Sequence, residues 1–355
     1  MAGGDENATT PDHPDPTGLT VGDLGERALI SLFTSAATTA TSRDIVVGSG
    51  DDAAVFDAGG PTVISTDTAV QNRHFRFDWS TPRQIGERAV IQSAADIAAM
   101  GARTVGVVVS IACPVSTPAA TVTEINDGIL AATHRLGGRV LGGDLVAADE
   151  VVLTVTSVGA LDGLTPVALT GAQIGDVLAV SGPLGSAAAG LAVLLAAEEC
   201  DGNERDRDDS QRSGRLLAQH AEVVDSHRLP NPDLSAGVAA ARAGAHAMTD
   251  VSDGLVEELK TLAAASNVAL AVDVSRVPRT GATTRAAAEL GESDDVWALT
   301  GGEDHQLLAA FGAADVPRGW VVIGEVRERT GDRVPVSLDG IAASDLRGWQ
   351  SFGHQ

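Results

Sequence analysis

Two aspartates three residues apart, Asp250 and Asp253, stand in M-T-D-V-S-D-G-L (248–255), with Ser252 between them and Gly254 behind. A small-residue apolar run precedes them. V-E-E-L-K-T-L-A-A-A-S follows, with Leu255, Leu259 and Leu262 at helical spacing. The pair therefore sits where a buried segment turns into a helix. Acidic groups there are favourable on their own, and Ser or Asp there often only caps the helix. What argues for more is company. Acidic turns also close other apolar runs, at Gly50, Asp51 and Asp52, at Ser65, Thr66, Asp67 and Thr68, and at Gly142, Gly143 and Asp144. Asp96 falls near the end of a long helical stretch, and Gly301, Gly302, Glu303 and Asp304 form one more such turn.

Oxygen-only donors suit hard cations, Mg²⁺ or Ca²⁺, while His and Cys are too sparse near these turns for zinc. The chain has no G-x-x-x-x-G-K-[ST] loop, and its one lysine, Lys260, lies away from every glycine turn. If nucleotide phosphates are handled, metal ions must supply most of the positive charge. Taken singly, each Asp-Gly turn is ordinary turn chemistry. Composition ranks neither Asp51 against Asp52 nor Asp149 against Asp144.

The elements that position these residues alternate. The pattern predicts a helix over 24–33, strands ending at the first two acidic turns, and a long helix over 81–100 stopped by Gly101. A strand broken by Pro114, an amphipathic helix, and two more strands close the first half. Strands meeting through short turns fit a mixed sheet better than an all-parallel one. A glycine-rich turn over 182–190 could hold phosphate or simply permit close packing. The charged stretch 198–215 reads as a solvated loop.

A chain of 355 residues with 44% hydrophobic content has material for two cored domains. The net charge of −24 and pI near 4.5 argue against nucleic-acid or anionic-membrane binding. Such a surface is expected of a halophilic protein in a very salty cytosol, where salt screens the self-repulsion. Two cysteines form no disulfide framework. The acidic start is not a secretory signal, so a soluble, cytoplasmic protein is expected.

The motifs G-S-G-D-D-A-A-V, S-T-D-T-A-V-Q-N-R-H-F, A-A-D-I-A-A-M-G-A, G-G-D, T-D-V-S-D-G-L and L-T-G-G-E-D-H-Q-L occur in that order. Together they closely resemble the thiamine-monophosphate kinases, within the superfamily that holds aminoimidazole ribonucleotide synthetase, selenophosphate synthetase and the hydrogenase-maturation dehydratase. The resemblance implies an α/β (α+β) two-domain PurM-like fold. The polar, acidic start is expected to be a disordered tail over 1–22; the resemblance implies an N-terminal ATP/Mg-binding domain over 23–163 that pairs in a homodimer, and a C-terminal α/β domain over 164–355. It implies a phosphotransferase with a phosphate acceptor, making thiamine diphosphate from ATP and thiamine monophosphate with several Mg²⁺ ions. Asp52, Ser65, Thr66, Asp67, Asp96, Asp144, Asp250 and Asp253 look like the metal ligands. Gly143, Asp144 and Ser252 look like ATP contacts, and His74, Glu303 and Trp349 like substrate contacts. No general base is implied, because a phosphate acceptor is already anionic.

Three places depart from the family pattern. Leu169 stands where an arginine is usual, Asp233 replaces a base, and G-G-E-D continues with His305 and Gln306. Rival readings are a synthetase-like reaction on the same scaffold and a non-enzymatic acidic cation-binding protein. The second accounts for the acidic turns but not for their order.

Overall fold

The computed structural model describes residues 17–37, 44–49, 53–201, 207–330, 335–339, 341–343 and 346–349. Its first part contains α1 (Val21–Leu24), α2 (Glu26–Ala37), β1 (Ile45–Val47), β2 (Val55–Phe56), β3 (Thr62–Val70), α3 (Pro82–Ala99), β4 (Arg103–Cys113), α4 (Ala119–Arg135), β5 (Arg139–Ala147) and β6 (Val152–Ala160). Residues 17–22, expected in a disordered tail, are instead built in. Thr20 and Asp23 form a capping box that starts α1, and the Val21 N–H donates to Thr117 O at 2.8 Å. Residues 1–16 lie outside the described residues.

Among the described residues, four strands form one sheet in the order β3-β6-β4-β5, parallel only between β4 and β5. Helices α3 and α4 cover one face. They approach backbone to backbone because each offers a glycine at the crossing. A Cβ on Gly86 would lie 2.0 Å from Ile125 O, and one on Gly128 2.0 Å from Arg83 O. Ile85, Ala89 and Val90 of α3 enter this core. Its alanine stripe, Ala94, Ala95, Ala98 and Ala99, packs instead on Met248, Leu307 and Phe311. Helix α3 is thus shared by two layers.

The second part contains β7 (Val177–Val180), α5 (Ser186–Asp201), α6 (Arg207–Gln219), α7 (Ala221–Arg228), α8 (Ser235–Arg242), β8 (Ala247–Val251), α9 (Leu255–Ser266), β9 (Ala269–Val272), α10 (Gly281–Leu290), α11 (Asp294–Thr300), β10 (Gln306–Phe311), β11 (Val321–Arg327), β12 (Val336–Leu338) and β13 (Ile341–Ala342). Its strands run β13-β12-β9-β11-β7-β10-β8, antiparallel except between β9 and β12. Both sheets are mixed, and helices accompany each, as the sequence pattern predicts.

Within the stretch 198–215, expected as a solvated loop, the described residues 198–201 and 207–215 are helical, and 202–206 lie outside the described residues. Glu198 belongs to α5, and α6 begins at Arg207. Its burial pattern supplies the reason: Ser213 is buried and Leu216 and Leu217 are partly buried against the α5–α7 core, so a narrow apolar stripe suffices despite the charges.

Candidate active site

Strand β8 is where the site begins. Its side chains alternate, so Met248, packed against α3, places Asp250 two residues on toward the same helix. Asp250 is buried, and its Oδ2 lies 3.2 Å from His305 Nδ1. The loop before β10 is pinned to the end of β8. The Glu303 N–H donates to Ser252 O at 2.7 Å and the His305 N–H to Val251 O at 3.0 Å. Glu303 and His305 both take left-handed backbone angles (φ 69° and 52°), which strain a residue with a side chain. Gly302 allows the approach, since a Cβ there would meet Ser252 O at 2.3 Å.

Opposite stands α3, with Arg88, Gln92 and Asp96 at intervals of four on one face. Arg88 Nη2 donates to Glu303 Oε2 at 2.7 Å, Gln92 Nε2 lies 3.5 Å from Asp67 Oδ1, and Asp96 Oδ2 accepts from Ser65 Oγ at 2.5 Å. Asp67 and Ser65 arrive from β3, whose alternate side chains turn toward α3.

The electrostatics are those of crowded, buried carboxyls. Burial pushes the Asp67 carboxyl above its ordinary range, with Asp250 adding to the shift and His305 opposing it. Asp96 is pushed up to about 6 by burial, then by Asp250. Burial and the neighbouring Glu303 and Asp250 raise Asp253. Glu258, in the first turn of α9, is pushed up to about 8 by burial and Asp250. Burial disfavours charge on His305, yet Asp250 and Glu303 hold it at about 10, so it stands as an internal cation. Its Nε2 lies 3.6 Å from Glu303 Oε2, outside hydrogen-bond range. Burial would raise Glu303 as well, but Arg88 and His305 hold it well below the carboxylate range.

Asp67, Asp96, Asp250, Asp253 and Glu303 are therefore near neighbours, and Ser65 joins them through Asp96. Thr66 and Asp144 are not part of this gathering. Thr66 Oγ1 pairs with Thr156 Oγ1 at 2.9 Å on the other face of the sheet. Gly143 and Asp144 line a separate cavity of about 210 Å³ between β5 and α2, together with Phe33 and Asn126. Asp52 lies outside the described residues. Among the described residues, no three His, Cys, Asp or Glu side chains already form a metal cage.

His74, Glu303 and Trp349 share one cavity of about 600 Å³, which Arg73, Arg76, Arg88, Arg347, Phe75 and Trp79 also line. In a chain of net charge −24, such a gathering of arginines is conspicuous. The Val70 N–H donates to His74 Nδ1 at 3.1 Å, which leaves Nε2 to carry the proton as a donor. The segment bearing Trp349 is fastened down from beneath. The Trp349 N–H donates to Asp253 O at 2.9 Å, the Gly348 N–H to Glu257 Oε1 at 3.0 Å, and Lys260 Nζ to Leu346 O at 2.7 Å.

The glycine-rich turn over 182–190 proves to be a packing device. Asp304 accepts from the N–H groups of Gly185 at 2.6 Å and Ala187 at 2.9 Å, so the head of α5 already holds an anion. A Cβ on Gly190 would meet Val223 O at 2.1 Å.

The chain matches the family models for AIR synthase related protein, N-terminal domain over residues 50–161 and C-terminal domain over residues 173–337. It is 42% identical over 348 residues to the thiamine-monophosphate kinase of Mycobacterium tuberculosis strain H37Rv, spanning 97% of each chain. The chain belongs to the thiamine-monophosphate kinase family. A crystal structure of the family member from Stenotrophomonas maltophilia K279a superposes with TM-score 0.70 at 29% identity, covering 88% of this chain and 95% of that one. A second structure, described as AaThiL complexed with AMPPCP and TMP, gives TM-score 0.69 at 25% identity, with 93% and 97% covered.

The residues that depart from the family pattern have structural occupations here. Leu169 packs against the second core, and its carbonyl accepts from Ser266 Oγ at 2.6 Å. Asp233 accepts from the Ser235 N–H at 3.0 Å at the head of α8. Gln306 Oε1 accepts from Ser181 Oγ at 3.0 Å, and His305 is the internal cation.

Sequence reasoning missed Arg88, Gln92 and Glu258, and the cavity-lining Arg76 and Trp79. The interval of four on α3 was the available signal for the first two. Glu258 offers none beyond its place in the first turn after the Asp253 loop.

Proposed function

We propose that this chain transfers the γ-phosphoryl group of ATP directly to the phosphate of thiamine monophosphate, giving thiamine diphosphate and ADP. The observation that carries this reading is the adjacency of two unlike environments through Glu303. On one side lies a knot of aspartates, on the other a cavity lined by arginines and aromatic rings. The aromatic and cationic lining suits a phosphorylated ring compound. The two ligands named in the second structural relative, AMPPCP (an ATP analogue) and TMP, support ATP and thiamine monophosphate as the pair for this chain.

The donor set fits Mg²⁺. It consists of oxygens, and Asp67 Oδ2 is buried without a hydrogen-bond partner, an arrangement that favours a cation. Asp67, Asp96, Asp250 and Asp253, with Ser65, would hold it, and Asp52 is assigned with them on the family pattern. When bound, Mg²⁺ supplies the positive charge that offsets the phosphate oxygens. The chain's own residues do the rest by placement. His74 presents an N–H toward the acceptor, Arg88 fixes Glu303, and Trp349 offers a ring face. An anionic acceptor oxygen needs no base, so positioning and charge offset carry the rate. Gly143 and Asp144, in their own cavity, are assigned to the nucleotide, as is Ser252. Thr66, which the motif alone puts among the ligands, faces the other side of the sheet and is left out of the set.

Two copies are proposed to pair through the outer face of the four-stranded sheet, where Ile64, Val108 and Val146 are exposed. Among the described residues no helix is long and apolar enough to cross a membrane. A cytoplasmic setting of high salt accords with the charge.

ADP release measured with and without thiamine monophosphate and Mg²⁺ tests the reading. Release that requires both is expected. Release indifferent to thiamine monophosphate would assign the chain to another reaction of the scaffold.

A further inference from the structure

Resting on the reading of the arginine-lined cavity as the acceptor site, we propose that Glu198 is a positioning residue that shapes this cavity from the second domain. It stands near the end of α5, outside every motif that marks the family. Its Oε1 accepts from Trp79 Nε1–H at 2.9 Å and its Oε2 from Arg76 Nη1 at 3.2 Å. One carboxylate thus joins two residues of the segment between β3 and α3, the segment that carries His74 and Phe75 into the cavity.

The three groups act as a unit. The Arg76 guanidinium lies over the Trp79 ring, 4.1 Å from its centroid, and Asp78 holds its far side through a 3.0 Å contact to Nε. The backbone of Trp79 is tied to the same domain, since Arg228 Nε donates to Trp79 O at 2.6 Å. His227 meets the ring edge-on, with centroids 6.0 Å apart and planes at 70°. Helices α5 and α7 therefore hold Trp79 by its indole N–H, its carbonyl and its ring edge. Asp78, a neighbour on the same segment, cannot replace that tether, because it moves with the segment. Without Glu198 the indole N–H loses its acceptor and Arg76 its link across the domains. The wall bearing His74 would then drift, and displacements of about 1 Å at a binding wall are enough to cost tenfold or more.

The test uses the full-length chain with E198A, E198Q and W79F. ADP release is followed while thiamine monophosphate and ATP are varied separately. For E198A the KM for thiamine monophosphate should rise about tenfold, with kcat within about threefold and the KM for ATP within about twofold of wild type. E198Q should fall between, because its amide oxygen still accepts from Trp79 while the charge facing Arg76 is gone. W79F keeps a ring but loses the N–H, and should raise the same KM. The E198A/W79F double variant should then be no worse than the weaker single, as expected for residues acting through one contact. An unchanged acceptor KM in E198Q and W79F, an equal rise for ATP, or an additive double variant would overturn the proposal. If E198A does not fold, E198Q and W79F carry the result alone. Failure of the wild-type chain to use thiamine monophosphate would instead retract the acceptor reading, and is seen before any variant is made.

Discussion

The two faces of the four-stranded sheet carry the same strands and serve different ends. On the inner face, Ser65 and Asp67 of β3 meet the polar stripe of α3 and, through it, β8 and the loop before β10. On the outer face, Thr66 and Thr68 pair with Thr156 and Thr154 at 2.9 Å each, beside exposed Ile64, Val108 and Val146. Side chains of a strand alternate with period two, so S-T-D-T, contiguous in sequence, is divided between a buried acidic site and an open surface. The lesson is that adjacency in a motif does not imply adjacency in a site. Thr66 and Asp67 are nearest neighbours in the chain and face opposite ways.

The largest expected effect breaks the inner face. Asp67→Asn or Asp250→Asn should lower kcat by on the order of 100-fold or more, the scale of losing a preorganised charge contact. Near-wild-type turnover in both at saturating Mg²⁺ would remove the metal assignment.

A second asymmetry concerns pH. His227, buried on α7 beside Trp79 with its carbonyl taken by Arg88, has its pKa driven down to about 3 by burial, then by Arg88. The folded protein holds it neutral while the unfolded chain protonates it near 6.5. The unfolded state therefore binds more protons below that value, and stability should be lost as pH falls from about 6.5 toward 3. His227→Gln should flatten the fall in melting temperature over this range. An unchanged slope would show that other groups govern it.

On the outer face, Ile64→Asp should shift a dimer to monomer in sedimentation while changing the monomer's helix and strand signal little. A wild-type chain that sediments as a monomer would refute the pairing surface. The smallest effect is expected from Thr66→Ala, whose hydroxyl faces away from the aspartates. Its kcat should stay within about threefold of wild type, the range of a surface hydroxyl contact. A loss comparable to that of Asp67→Asn would return Thr66 to the ligand set.

Much of this architecture was legible in the residues. Helix α3, strands β3 to β6 and the turn after β8 follow from apolar period and glycine placement. Asp67, Asp96 and Asp250 were named together through motif order. Periodicity alone could not have grouped them, because their convergence depends on α3 being shared by two sheets. Helix α6 was obscured by its charges, since only a narrow stripe around Leu216 and Leu217 is apolar. Residues 17–22 looked like a polar tail because their fastening is backbone to backbone, through Thr117 and Ala119, which leaves little trace in side-chain chemistry. Glu198 was grouped with that charged stretch, although its partners lie more than a hundred positions away.

Lys260 has a consequence beyond its contacts. It is the one lysine of the chain, and its ammonium spans Glu257 and the carbonyl of Leu346, under the segment that presents Trp349. An acylating reagent therefore finds a single side-chain amine, and finds it at the foundation of a cavity wall. Neutralising that charge would slacken Trp349 while sparing the aspartates on α3 and β3, so the native chain carries its own chemical handle on one wall of the pocket.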